Sequence, residues 1–149
     1  MTTAIHLAGP DDGDRVLALI QRSHEERGLP HDDAHRAATI LPLLDGSPLG
    51  AVWLIGPARA PLGYVMITFG WSVDLGGLIG WVEDIFIRPS VRKRGIGTEV
   101  LHGVARTLGQ ANLRALHANV PDGDNPIARF CAKVGFGHDR TLRVMTDIL

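Results

Sequence analysis

The stretch 80–101, GWVEDIFIRPSVRKRGIGTEVL, constrains this chain more than any other. Residues 81–87 are aromatic and β-branched, the composition of a buried strand. Pro89 ends that strand, because proline cannot donate to a ladder. Arg92, Lys93, Arg94, Gly95, Ile96 and Gly97 then place three basic side chains and two glycines in front of a helix. The apolar positions of that helix, Val100, Leu101, Val104, Ala105 and Leu108, recur at helical spacing. A strand, a glycine turn and a helix in this order make an anion site. The first amides of a helix have no intrahelical acceptor, and the macrodipole makes that end positive. Glycine lets a phosphate come close to the backbone. The competing reading is a basic surface turn capped by glycine.

Two acids interrupt the strand. Glu83 and Asp84 sit in an otherwise apolar run, where an unpartnered carboxylate is costly to bury. Strict alternation puts Glu83 on one face with Trp81, Ile85 and Ile87, and Asp84 on the other with Val82 and Phe86. Each face of the sheet then receives one acid. Either acid could be a salt-bridged structural residue, or a carboxylate tuned for chemistry beside an anion site.

The rest of the chain supplies a frame around this unit. Residues 5–7 read as a short strand. Pro10, Asp11 and Asp12 start a helix in which Val16, Leu17, Ile20 and His24 recur at helical spacing, and residues 28–30 stop it. Asp32 and Asp33 start a second helix to about Leu44, with Pro42 in its last turn. Residues 51–55 and 62–69 are strands joined by a proline-stiffened loop, and 70–77 is a turn into the Glu83 strand. A strand over 113–120, a helix over 125–134 ended by Gly135, and a closing strand over 143–148 complete the order βααβββαβαβ. That order is mixed α/β, a central sheet with helices on both faces. With 149 residues, no long linker and 45% hydrophobic content, one domain over 1–149 is expected.

Charge and cysteine content narrow the class. A net charge of −1 gives no bulk attraction to nucleic acid or to an anionic membrane. Cys131 is the lone cysteine, so no internal disulfide forms. No leader and no span of transmembrane length is visible, and a soluble cytoplasmic protein is expected. His31 and His35 have an i, i+4 spacing but no third ligand nearby, so no metal site is expected.

The Glu-Asp pair, the apolar strand, the proline and the Arg-x-x-Gly-x-Gly that opens a helix resemble the acetyl-CoA-binding segment of the GNAT N-acetyltransferases. The run Val82-Glu83-Asp84-Ile85-Phe86-Ile87, followed by Gly95-Ile96-Gly97-Thr98-Glu99-Val100-Leu101, is most similar to the diamine acetyltransferase branch and related bacterial enzymes. The resemblance covers residues 62–136. It implies the GNAT fold, in which two neighbouring parallel strands splay and admit the pantetheine arm, here between the Glu83 strand and the 113–120 strand. It implies that the backbone of Ile85, Phe86 and Ile87 pairs with pantetheine. It implies that Arg92, Lys93, Arg94, Gly95, Ile96, Gly97 and Thr98 hold the pyrophosphate, with a further contact at Asn125. The implied reaction is direct attack of a small-molecule primary amine, polyamine or amino-acid-like, on the thioester of acetyl-CoA. Glu83 is the implied general base, through a water. Asp84 is implied as structural or as a contact to a cationic substrate, and a backbone amide of the same strand as the oxyanion donor. Homodimers are common in the family.

The chain departs from the family in one signature. The tyrosine of Tyr-x-x-x-Gly-Phe is Cys131 here, and the asparagine seven residues earlier is Asp124, with Asn125 one place late. A thiol of pKa about 8.5 is mostly protonated at neutral pH and could protonate the leaving thiolate. The same cysteine could equally be a small apolar filler. The missing tyrosine raises a second class, a non-catalytic acyl-CoA-binding or regulatory protein of the same fold. A nucleoside triphosphate site is disfavoured because no Lys-Ser/Thr closes the turn. His117 stands mid-strand beside the expected gap. His24, Glu25 and Glu26 lie where family members line the acceptor pocket, and Tyr64, Trp71 and Trp81 could wall it. Each of these also has a plain structural reading as core or solvated surface.

Overall fold

Val16, Leu19, Ile20 and Ser23 fall three and four residues apart, and the chain answers with a helix, α1 (Gly13–Glu26), whose buried stripe is those four residues. The computed structural model describes residues 3–137 and 142–149. Strand β1 (Ile5–Leu7) precedes α1, and α2 (Asp33–Leu44) follows it. Then come β2 (Gly50–Ile55), β3 (Gly63–Ser72), β4 (Gly77–Ile87), α3 (Ile96–Gln110), β5 (Ala115–Ala118) and α4 (Pro126–Val134). Short 3-10 turns stand before α1 and after β4. The stripe on α1 corrects one expectation. Ser23, not His24, takes the core-facing place one turn after Ile20, and His24 is only half-buried.

The five strands lie in the order β1-β2-β3-β4-β5. All neighbours are antiparallel except β4 and β5, which are parallel. One face buries Val52 and Leu54 of β2, Tyr64 and Met66 of β3 and Phe86 of β4 against Val16, Leu19 and Ile20 of α1 and Ile40 and Leu44 of α2. Each fully buried Leu, Ile or Val contributes about 1.5–3 kcal/mol relative to exposure. The alternate residues of β3, Val65 and Ile67, are also fully buried, and α3 packs against β4 with Val100, Leu101 and Val104 buried. The sheet is therefore a middle layer, as the element order implied.

Three boundaries differ from expectation. The β3–β4 hairpin is longer, with Gly70 paired to Ile79 and Trp71 to Leu78 across a turn at residues 73–76. Strand β5 is shorter than 113–120, because Leu113 still belongs to the helix end: its N–H reaches the Leu108 carbonyl at 2.9 Å. Residues 143–148 form no strand, and Val144, Met145 and Ile148 are exposed. β-propensity measures fit to a half-buried pleated surface, and these side chains are not buried.

The chain divides into two compact units, Met1–Asn119 and Val120–Leu149. The sheet and α1 to α3 belong to the first. In the second, Asn125 caps α4 by accepting from the Ala128 N–H at 2.9 Å. Gly135, at φ 106°, ends α4, and the Phe136 N–H returns to the Cys131 carbonyl at 2.9 Å.

Candidate active site

The β3–β4 ladder slips once. Met66 pairs with Asp84 and Ile67 pairs with Val82, so Glu83 is an extra residue with no partner on β3. This is a β-bulge, and its effect is to break the alternation that the sequence predicts. Asp84 bonds Tyr64, a residue of the α1-facing row. Glu83 bonds Thr68, two steps past Met66 in the same row. Both carboxylates therefore emerge on the face that α1 covers, and the expected division of one acid per face is overturned.

The two acids then part in environment. Asp84 is a hub. Its Oδ2 accepts from the Tyr64 hydroxyl, from Ser23 Oγ at 2.9 Å and from Arg27 Nη2 at 3.1 Å. Its side chain is 11% exposed, and Ser23 and Tyr64 are buried. Burial first, then the Asp84 charge, push the Tyr64 phenol far up, so it remains a donor. Hydrogen bonds to a charged group are worth about 1.5–3 kcal/mol each, enough to offset the cost of burying the carboxylate. Glu83 is exposed and, among the described residues, takes one side-chain bond, from Thr68 Oγ1 to Oε1 at 2.7 Å. Of the two acids, Glu83 is the one open to solvent.

Pairing between β4 and β5 stops at the same place. The parallel register runs from Ile79 with Ala115 to Val82 with Ala118. Beyond it β4 continues through Glu83 to Ile87 with no strand on that side among the described residues. Ile85, Phe86 and Ile87 thus sit on a strand whose edge away from β3 is open. Trp81 and His117, paired across β4 and β5, stack with ring centroids 4.7 Å apart just before the opening.

The turn after β4 is shaped by backbone. Lys93 is at φ 63° and Gly95 at φ 75°, both left-handed, and Gly95 is the N-cap of α3. No side chain caps that end. The amides of Ile96, Gly97 and Thr98 open the helix, where no intrahelical acceptor exists for them. Successive backbone N–H groups in a turn that mixes right- and left-handed residues form an anion-binding concavity. The Lys93 and Arg94 side chains are exposed and make no hydrogen bond or ion pair among the described residues.

Arg92 behaves differently from its two neighbours. Its Nη1 and Nη2 grip both oxygens of Glu26, each at 2.7 Å, and its Nε donates to the Ile87 carbonyl at 2.7 Å. The guanidinium also lies over the Phe86 ring, 5.4 Å from its centroid. Glu26 is held below the usual carboxylate range, first by its hydrogen bond to Arg92. The arginine expected to face a phosphate here braces the turn against the end of α1. Asn125, expected as a cofactor contact, spends its side chain locally: Oδ1 caps α4, and Nδ2 donates to the carbonyls of Pro121 at 2.9 Å and Gly123 at 3.2 Å. Cys131 is buried, and burial pushes its thiol up.

These features, a bulged acid strand, an open parallel edge and a glycine-started helix, are accompanied by a match of residues 14–136 to the profile of the acetyltransferase (GNAT) family. The chain belongs to that family. The GNAT chain is 26% identical over 96 residues to GCN5-related N-acetyltransferase 3, chloroplastic, of Arabidopsis thaliana. That match covers 64% of the chain and only 39% of the relative's own length. Among solved structures, an integron cassette protein from the mobile metagenome of Cole Harbour Salt Marsh is 25% identical with a TM-score of 0.83, over 97% of this chain and 90% of that one. A predicted acetyltransferase of Clostridium acetobutylicum, solved with acetyl-CoA, has a TM-score of 0.77 at 15% identity, over 97% and 96% of the two chains. The second likeness shows the fold alone.

Residue patterns pointed to Glu83, Asp84 and the turn of this GNAT chain, but not to the residues that hold the acids. Ser23, Arg27 and Thr68 have no signature in those patterns, and of the two readings of Tyr64, pocket wall or core, its full burial matches the core reading. The available signal was a polar residue, Ser23, on the apolar stripe of α1. His31 and His35 stack face to face at 4.1 Å, with His24 edge-on to His31 at 5.1 Å. Among the described residues no group of three His, Cys, Asp or Glu side chains could hold a metal. No helix among them is long and apolar enough to cross a membrane.

Proposed function

We propose that this protein is an acetyl-CoA-dependent N-acetyltransferase that acetylates a primary amine of a small molecule by direct attack. One observation carries the reading: the bulge presents Glu83, exposed and singly bonded, where the β4–β5 pairing ends. GNAT acetyltransferases use acetyl-CoA as the acyl donor, and the fold neighbour solved with acetyl-CoA supports the same donor here. In this reading the open edge at Ile85, Phe86 and Ile87 receives the pantetheine amides. The turn of Lys93, Arg94, Gly95, Ile96, Gly97 and Thr98 receives the pyrophosphate through backbone N–H groups and two exposed cationic side chains. Arg92 contributes its backbone, its side chain being engaged.

Glu83 accepts, through a water, the proton that the substrate ammonium must lose before its nitrogen can attack the thioester carbon. The C–N bond forms, the C–S bond breaks, and the departing thiolate is protonated from solvent. The three hydrogen bonds that Asp84 Oδ2 accepts support a structural role for it, so Glu83 is the acid left to meet the amine. The acceptor is a monoamine, an amino acid or a polyamine, and a matched panel of the three separates them. The test is release of free CoA thiol from acetyl-CoA with each amine. Turnover is expected, and Glu83→Gln should lower kcat/KM by about 10²–10⁴-fold. Binding of acetyl-CoA without turnover of any amine would instead favour a non-catalytic acyl-CoA-binding protein.

A further inference from the structure

Glu83 raises a problem that its position alone does not solve. A base on a bulge lacks the ladder partner that normally fixes a strand residue, and an exposed glutamate has three side-chain torsions to settle. Freezing such a side chain costs about 1.5–2 kcal/mol of rotamer freedom. Asp84 next door is fixed by three donors. Glu83 has one, the Thr68 hydroxyl.

The Thr68 hydroxyl is itself well fixed. Thr68 lies mid-sheet, paired with Gly50 on one side and Trp81 on the other. Its β-branched side chain has a stiff first torsion, so the backbone dictates where Oγ1 points. It shares the face of Tyr64 and Met66, the face onto which the bulge turns both acids. Its bond is to Oε1 alone, which leaves Oε2 for a water or an amine. A serine or threonine hydroxyl donates one proton, and here it goes to the carboxylate. The bulge and the threonine act as a pair: one turns the glutamate out, the other stops it wandering.

From this geometry we infer that Thr68 is a positioning residue for Glu83, holding one carboxylate oxygen so that the other faces the reacting amine. The inference rests on the reading of Glu83 as the base. Small misplacement of a reacting group can cost up to about 10²-fold in rate.

The experiment is a double-mutant cycle read by steady-state kinetics with acetyl-CoA and the best amine of the panel. Thr68→Val keeps shape and β-branching but removes the hydroxyl. It should lower kcat by about 5- to 50-fold, within the cost of misplacing a catalytic group, with KM for acetyl-CoA unchanged. Thr68→Ser keeps the hydroxyl and should stay within about twofold of wild type. In the Glu83→Gln background, Thr68→Val should cost less than about twofold more, because the two residues act as one unit. Circular dichroism and a urea melt check the fold, and Thr68→Ala replaces Thr68→Val if the valine variant does not fold. The inference is overturned if Thr68→Val stays within twofold of wild type. It is also overturned if Thr68→Ser falls as far as valine, or if the valine loss persists undiminished without Glu83. The reading of Glu83 fails separately. If Glu83→Gln itself loses less than about threefold, the base assignment falls, and the role of Thr68 falls with it.

Discussion

The glycine turn at residues 92–98 and the acid bulge at residues 83–84 are a few residues apart and built on opposite plans. The turn is made of backbone: left-handed Lys93 and Gly95, an uncapped helix start, and amides with no acceptor of their own. Its other two cationic side chains, Lys93 and Arg94, are exposed and make no hydrogen bond or ion pair among the described residues. The bulge is made of side chains drawn from three elements, with Ser23 and Arg27 from the α1 end, Tyr64 and Thr68 from β3, and the acids from β4. A backbone site depends on the conformation of one short segment. A side-chain site depends on several elements packing in register. The first should therefore tolerate side-chain changes that leave its glycine and torsions alone, and the second should fail when any one partner is lost.

Asp84→Ala is the harshest way to break this contrast. It removes the acceptor of two buried hydroxyls, Ser23 and Tyr64, each worth about 1–3 kcal/mol when stranded, so a loss of about 3 kcal/mol is expected in a urea melt. A loss below about 1 kcal/mol, the low end for one stranded group, would show that the bulge does not depend on its network. Gly95→Asp strikes the other plan. The space for a Cβ is open, but φ 75° strains any L side chain, and under the proposed function the new charge would repel a phosphate at the positive end of α3. Calorimetry should show acetyl-CoA affinity weakened by about tenfold or more, about 1.4 kcal/mol, while the melt barely moves. Undiminished affinity would remove the turn from the cofactor site.

The smallest effect concerns pH and sharpens the same contrast on the side-chain plan. Burial first, then the charge of Arg27, hold the His24 imidazole below its ordinary 6.5. The unfolded chain then binds the proton more readily than the folded one. The His24 contribution is fully present above pH 6.5 and is lost as pH falls through the folded value. Urea melts from about pH 7 down to about pH 5, across the ordinary histidine range, should show stability falling less in His24→Gln than in wild type. Equal slopes would remove His24 from the acid response.

The difference between the two plans also decides what could be read in advance. Gly95, the helix stripe at Val100, Leu101 and Val104, and the proline after β4 are local signals, and the structure carries each where the sequence puts it. The bulge was not legible. A one-residue slip between strands leaves no mark in the alternation of Trp81 to Ile87, yet it reverses Glu83, and with it Trp81 and Val82, relative to Ile85, Phe86 and Ile87. The Arg92 to Glu26 and Arg27 to Asp84 pairs join residues 66 and 57 positions apart, and such partners have no short-range signature. The expected last strand fails for the converse reason: a β-prone composition at 143–148 forms no strand, and its apolar side chains are exposed.

Glu26 and Arg27 are neighbours at the end of α1, yet one grips the turn after β4 and the other grips β4 itself. Consecutive helical residues point about 100° apart, so this pair addresses two targets from one short stretch of chain. The arrangement makes the length of α1 a quantity under constraint. A single residue inserted or deleted between Ile20 and Glu26 would swing both side chains by about 100° and uncouple both contacts at once. Substitution at either position breaks only one. Related chains that keep both contacts should therefore vary freely in the identity of exposed α1 residues such as Arg22, but hardly at all in the spacing from Ile20 to Arg27.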